Sequence, residues 1–452
     1  MTRRTRAVKR GGRRLLITGA EAVITSADGP VYAPGEVAVE DGRIVAVGQA
    51  GSTAASWRPH EVIRADGAVV IPGLVNAHTH SPMVLLRGYA EDMAFHPWLA
   101  AVQAMEENFL PEDIYWGAQL AIAEQFRFGV TTFAEMYFGM AGVARAVAET
   151  GARAVLSRGL IGVARNADAM LAEGLAFCRE WQGAAEGRIT TMMGPHAPYT
   201  CPPKYLERVV AAAAELGVGL HIHLSESRRE QEEHLVQYGE TPTATVARAG
   251  IFTRPVLIAH FVYATPADLE LVAEARAGIA HCPTSNLKLA NGVAPVVRWL
   301  SAGVAVGLGT DGAASNNDLD LWEEMRLASL LAKGTTGDPV ALPAAAAFHL
   351  ATAGGAAAVG LGEVTGRLAP GFAADLVLVD WTGPHLCPTH RYLSNLVFAA
   401  HGTDVRLTMV AGRVVYDRGA FPTLEIERVK AEVVRRAERL ARSATPAGSG
   451  RE

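Results

Sequence analysis

His78 and His80 stand two residues apart at the end of the apolar run PGLVNAHTH. On an extended strand, residues at i and i+2 point to the same face, so one ion can receive both imidazoles. A second pair, His221 and His223 in LGVGLHIHLSES, repeats that spacing, and only one of the two need be a ligand. Glu226 follows in the loop. Further along, PVLIAHF reaches His260, AGIAH ends in His281, and VAVGLGTDGAASNN places Asp311 directly after an apolar run. Singly, each has a structural explanation: a buried histidine can be satisfied by hydrogen bonds, and an aspartate can cap the next helix. A series of strands ending in His, His, His, His and Asp is hard to explain as packing. Imidazoles plus one carboxylate suit Zn²⁺ or Fe²⁺ better than Ca²⁺ or Mg²⁺, which prefer oxygen ligands. The chemistry that follows is metal-assisted hydrolysis, in which bound water falls from a pKa of about 15.7 to about 7. A carboxylate such as Glu226 can then move protons between that water and a substrate.

Collecting polar groups from several strand ends requires strands whose C-terminal ends share one mouth. From about Pro72 to Leu361, helical patterns such as PEDIYWGAQLAIAEQFRFG and PKYLERVVAAAAELG alternate with short apolar strands. That length and alternation predict an α/β fold of the (β/α)₈ TIM-barrel type. A doubly wound sheet would favour a Gly-rich phosphate loop after the first strand, and none follows AVVIPGLVNAH. The Ala-rich segments ALPAAAAF and ATAGGAAAVG read as helices with small residues at close contacts. Short strands with turns occupy Leu15 to Ile71, including an Asp41-Gly42 turn, and a matching texture returns after Gly366 with an Ala411-Gly412 turn. The expected organisation is a basic mobile tail at 1–14, a small β-sandwich domain from 15–71 and 366–424, a barrel over 72–365, and a C-terminal helix and tail at 425–452.

The whole composition agrees with a small-molecule enzyme. Of 452 residues, half are hydrophobic and 19% charged, which is globular, and the formal net charge of -5 gives no reason to expect nucleic acid. The four cysteines are far apart without a CxxC pair, fitting a reducing cytosol rather than a disulfide framework. No apolar run is long enough to span a membrane. The expectation is a soluble cytoplasmic protein; a homo-oligomer is compatible with these features.

PGLVNAHTH, HIHLSE, IAHF, AHCPTSNLKLANG and GLGTDGAASNN together resemble the amidohydrolase superfamily, in the family's order across nearly the whole chain. HTHSPMVLLRGYAEDM, GPHAPYTC and HLSESRREQEEH look like its 5'-methylthioadenosine/S-adenosylhomocysteine deaminase branch. That resemblance implies one Zn²⁺ per subunit held by His78, His80, His223 and Asp311. No lysine ends the strand before GPHAPY, where two-metal relatives carry a bridging lysine, so a single ion is implied. By the same resemblance Asp311 takes a proton as the activated water attacks C6 of the purine, His260 orients the water, and Glu226 protonates N1. Glu107, with Glu106 as the neighbouring register, falls where the family places a carboxylate on the ribose hydroxyls, and His196 near the ribose. Arg158 matches an arginine directed at the homocysteine carboxylate, while a second such arginine would fall on Met170. Methylthioadenosine, adenosine or 5'-deoxyadenosine is therefore expected to be favoured over S-adenosylhomocysteine, unless Arg165 reaches in from the same loop. His281 is a further candidate, either against the substrate or as support of the barrel mouth.

Two other classes of answer fit parts of the pattern. A guanine or cytosine deaminase, or an s-triazine chlorohydrolase, would use the same attack on an electron-poor ring carbon, but Glu107, Arg158 and His196 would have no purpose for a bare base. A non-catalytic nucleoside or metal binder would need no proton-transfer groups, and Glu226, His260 and Asp311 argue against it. The H-x-E with P-C-x-x-C pattern of nucleic-acid deaminases and the H-E-x-x-H of metalloproteases are absent from the sequence.

Overall fold

A computed structural model of the chain describes residues 12–53 and 57–444. The basic tail up to residue 11 and the closing TPAGSGRE lie outside the described residues.

Eight parallel strands, each hydrogen-bonded to the next, form the barrel sheet: β1 Leu74–Thr79, β2 Val130–Tyr137, β3 Arg153–Leu160, β4 Ile189–Pro195, β5 Gly219–Leu224, β6 Val256–His260, β7 Gly278–His281 and β8 Ala305–Leu308. Helices cover the outside, so β2 is buried along its whole length, its polar residues Thr131, Thr132 and Glu135 included. The flanking helices carry the expected punctuation. Pro111, Pro203, Pro242 and Pro266 open helices, where a missing N–H costs nothing, and left-handed Gly151, Gly217, Gly239 and Gly337 end them.

The last and first strands are joined by side chain and loop instead of a ladder. Asn76 Oδ1 accepts from the Thr310 amide (3.0 Å), Asn76 Nδ2 donates to Thr310 Oγ1 (2.8 Å), and the Asp311 amide donates to the His78 carbonyl (3.0 Å). The Ala-rich segment becomes the helices Ala344–Ala351 and Ala353–Ala358, the second lying against β8. Small residues are required there, since a Cβ on Gly307 would stand 2.7 Å from Gly355 Cα.

Both chain ends build the smaller β domain, which is the β-sandwich of the predicted fold. Four strands, in the order Arg43–Gln49, Gly35–Glu40, Arg14–Ala20 and Glu61–Arg64, make one sheet. Six make the other: Arg413–Asp417, Val405–Val410, Leu376–Asp380, Ala68–Pro72, Ala22–Ile24 and Val31–Tyr32. Leu15, Ile17, Val37, Val70, Leu376 and Met409 share its core. The Asp41-Gly42 and Ala411-Gly412 turns have both residues at positive φ (49° and 78°, 47° and 74°), the geometry that matches a tight hairpin to strand twist. The long run AVVIPGLVNAH is divided: Ala68–Pro72 belongs to the small domain and β1 to the barrel. Gly73 sits at the crossing, where a Cβ would fall 2.1 Å from Thr131 Oγ1. After the β domain, the helix Ile426–Ala444 packs on the helix Pro111–Arg127, with Arg436 and Arg439 on the buried Asp113.

Candidate metal-dependent active site

At the C-terminal mouth of the barrel, β1 delivers His78 and, one residue past its end, His80; β5 delivers His223, and the loop after β8 delivers Asp311. Asp311 Oδ1 lies 3.4 Å from His78 Nε2 and 3.3 Å from His80 Nε2, and His80 Nε2 lies 3.3 Å from His223 Nε2. His260, at the end of β6, joins the same cluster. Non-glycine residues adopt left-handed backbone at these strand ends: Ser225 (φ 53°), His260 (φ 72°) and Asp311 (φ 57°). Such conformations cost energy and concentrate where a site needs a side chain aimed off the regular path.

Outer hydrogen bonds fix which imidazole nitrogen faces inward. His80 Nδ1 donates to the Met136 carbonyl, and His223 Nδ1 to the His196 carbonyl (2.9 Å). His78 Nδ1 meets His221 Nε2 (2.9 Å), and His221 Nδ1 meets Ser157 Oγ (3.3 Å). Of the second histidine pair, His223 faces the cluster and His221 stands behind His78. Asp311 Oδ2 is anchored by Ser285 Oγ (2.6 Å) and Ser315 Oγ (2.9 Å), leaving Oδ1 toward the histidines. Burial pushes His78 down to about 4, His80 below its ordinary value and His223 well below it, so these rings are neutral and present lone pairs. Burial alone would raise Asp311, but the adjacent His78, His80 and His260 rings hold it well below the usual carboxylate range.

This donor set fits a divalent transition metal. His78 Nε2 is fully buried without a hydrogen-bond partner, which is costly unless something else fills that role. Ligands about 2.1 Å from a tetrahedral ion stand about 3.4 Å apart, close to the three separations here. Each inward nitrogen also has its outer partner in place, as metal-binding histidines require.

Beside the cluster opens a cavity of about 560 Å³ whose walls include Glu106, Glu107, Arg158, Met170, His196, Glu226, His260 and Asp311. Glu226 Oε1 accepts from Asn291 Nδ2 (3.0 Å) and lies 3.9 Å from His260 Nε2. Burial, reinforced by the Asp311 charge, holds its carboxyl well above the usual range. His260 Nδ1 lies 2.9 Å from Asn286 Oδ1. His196 is held by Thr200 Oγ1 (2.9 Å), and burial lowers it to about 4. Of the two adjacent carboxylates, Glu107 is exposed, whereas Glu106 is more enclosed and accepts from the Tyr137 hydroxyl. Arg158 is buried and pairs with Glu173 (2.8 Å), its Nε lacking a partner. Arg165 is exposed and is not among the cavity walls, and neither is His281, whose buried ring meets Trp299 edge-on at 5.7 Å.

Sequence reasoning missed the supporting groups Ser157, Asn286, Asn291, Ser285 and Ser315. A signal existed for four of them. AHCPTSNLKLANG and GTDGAASNN concentrate small polar residues immediately after strand ends, where a buried ligand needs hydrogen-bond partners. The aromatic wall residues Phe95 and Trp98 carried no comparable signal.

A profile of the amidohydrolase family matches residues 69–415. The chain is 51% identical over 427 residues to a 5-methylthioadenosine/S-adenosylhomocysteine deaminase of Pelotomaculum thermopropionicum, covering 94% of this chain and 98% of the relative. A protein of the same name from Desulforudis audaxviator is 52% identical over 410 residues, covering 90% and 95%. Among solved structures, an adenosine deaminase from Xanthomonas campestris with bound zinc superposes with a TM-score of 0.91 at 35% identity, covering 95% of this chain and 98% of that one. The motifs, the barrel and these matches agree: the chain belongs to the amidohydrolase family.

Proposed function

We infer that the protein is a metal-dependent hydrolase that deaminates an adenosine-type nucleoside at C6, giving the inosine-type product and ammonia. The observation that carries this is the convergence of His78, His80, His223 and Asp311 beside the buried carboxyl of Glu226 in one nucleoside-sized cavity. The Pelotomaculum and Desulforudis relatives are named 5-methylthioadenosine/S-adenosylhomocysteine deaminases, which supports this reading.

We assign His78, His80, His223 and Asp311 as ligands of one Zn²⁺, with Fe²⁺ as the alternative. When bound, the ion supplies a polarised water at neutral pH. His260 Nε2 would be free to orient the attacking water, because Nδ1 is committed to Asn286. Glu226 gives its proton to N1, which makes C6 electrophilic, while Asp311 takes one proton from the attacking water. Asp311 then passes that proton to the amino group. As the C6–N6 bond breaks and ammonia leaves, the C6 hydroxyl proton returns to Glu226 and restores the starting state. Glu107 is assigned to the ribose hydroxyls and His196 to the same sugar, with Glu106 the comparator. Replacing Glu107 by Gln is expected to raise KM for adenosine about tenfold and to leave 2',3'-dideoxyadenosine nearly unaffected; equal effects on both substrates reject the role.

The cavity favours a neutral 5' substituent. Phe95, Trp98, Ile161, Val163 and Met170 line it, and Glu173 already meets the charge of Arg158. Methylthioadenosine, 5'-deoxyadenosine and adenosine are thus preferred over S-adenosylhomocysteine, whose carboxylate would have to displace Glu173. The test is metal-loaded protein incubated with these four nucleosides, guanine and cytosine while the ultraviolet spectrum and ammonia are followed. Absence of any inosine-type product rejects the deaminase reading; a higher kcat/KM for S-adenosylhomocysteine rejects the preference alone.

A further inference from the structure

Between the end of β5 at Leu224 and the helix Arg228–Tyr238 lies a three-residue turn that carries Glu226. Its first residue, Ser225, is left-handed at φ 53°, a conformation that a residue with a side chain holds only when its surroundings enforce it. Ser227 caps the helix, its hydroxyl accepting from the Glu230 amide at 3.1 Å. In an ordinary capping box the carboxylate at Glu230 would return to the Ser227 amide. Here it also reaches further back. Oε2 accepts from the Glu226 amide (2.8 Å) and Oε1 from the Ser225 amide (3.1 Å). Those two peptide groups decide where the Glu226 side chain leaves the backbone. The Tyr263 amide on the Ser225 carbonyl (2.9 Å) and Gln231 Nε2 on Ser225 Oγ (2.9 Å) brace the same turn from the other side.

Helix capping alone does not explain this arrangement, because the Ser225 and Glu226 amides that Glu230 holds lie before the cap residue. Glu230 is buried beside the Glu226 carboxyl, and burial, which pushes its own carboxyl up, opposes folding. We propose that Glu230 is a positioning residue for deamination: by clamping the Ser225 and Glu226 amides it holds the Glu226 carboxyl on Asn291 and at the substrate's N1. The proposal rests on Glu226 being the proton donor.

A double-mutant cycle separates action through Glu226 from a general effect on the fold. Glu226→Gln alone is expected to lower kcat on the order of 100-fold or more. Glu230→Gln, which can present only one accepting oxygen to the two amides, is expected to lower kcat about tenfold or more with KM changed less than about threefold and metal content retained. In the Glu226→Gln background the same Glu230 change is expected to alter the residual kcat less than about twofold. An undiminished effect in that background, or wild-type kcat in Glu230→Gln, overturns the proposal. Wild-type kcat in Glu226→Gln alone instead overturns the assignment of the donor, and the proposal with it. If Glu230→Gln does not accumulate as folded protein, Glu230→Asp, which keeps the charge but shortens the reach by one carbon, runs the same cycle against the same thresholds.

Discussion

Glu106 lines the cavity with the Tyr137 hydroxyl as its partner, and burial pushes its carboxyl up to about 7 while that hydrogen bond pulls it down. The unfolded chain loses this proton near 4.5, so between pH 4.5 and 7 the folded state binds more protons. Stability contributed by this group is therefore present below about pH 4.5 and is lost as pH rises to 7. Glu106→Gln keeps an acceptor for Tyr137 and removes the titration. We expect its Tm to exceed the wild type's by roughly 1–3 °C at pH 8 and to match it at pH 5; melting curves at both pH values decide this, and an equal difference at both would exclude the buried charge as cause. The same residue marks the limit of legibility at this scale. His78, His80, His223, His260 and Asp311 could be read because each interrupts an apolar run at a strand end. The choice between Glu106 and Glu107 could not, because adjacent helical residues point about 100° apart and only packing sets the rotation.

At the scale of elements, β3 is fastened to the strand Leu376–Asp380 by a buried ion pair. Arg153 Nε donates to Asp375 Oδ2 (2.8 Å) and Nη2 to Oδ1 (3.2 Å), and the Ala411 amide adds a third bond to Oδ1 (2.7 Å). The side chains are only 6% and 0% exposed. Removing one partner leaves the other charged and buried, which costs about 3–5 kcal/mol, whereas removing both leaves no stranded charge. Denaturant titration should find Asp375→Asn and Arg153→Met each destabilised by about that amount, and the double variant recovering much of it. A double variant that loses the sum of the two would show that each acts alone. The barrel strands and β-domain hairpins announced themselves through apolar alternation, Asp41-Gly42 and Ala411-Gly412. This clasp did not, since Arg153 and Asp375 are 222 residues apart and neither belongs to a local pattern.

For the whole molecule, the consequential feature is where the candidate ligands sit relative to the barrel's closure. β1 and β8 share no ladder; Asn76, Thr310 and the Asp311 amide hold that seam. His78 and His80 come from one side of it and Asp311 from the other, so an ion held by them would also bind the two edges of the sheet together. His223, from β5, would tie in the opposite wall. Anything that binds only the folded state stabilises it by RT ln(1 + [L]/Kd), about 4 kcal/mol at a thousandfold excess over Kd. Dialysis against a chelator should therefore abolish deamination and lower Tm, and added Zn²⁺ should restore both. Hydrogen exchange should rise first in β1 and the loop after β8, because those segments have the fewest backbone bonds across the seam. Asp311→Asn weakens the ligand on one side only, and its Tm should respond less to the same Zn²⁺ concentration. A metal-free protein that melts at the holoenzyme's temperature, with unchanged exchange at the seam, would restrict the ion to chemistry and leave closure to Asn76 and Thr310.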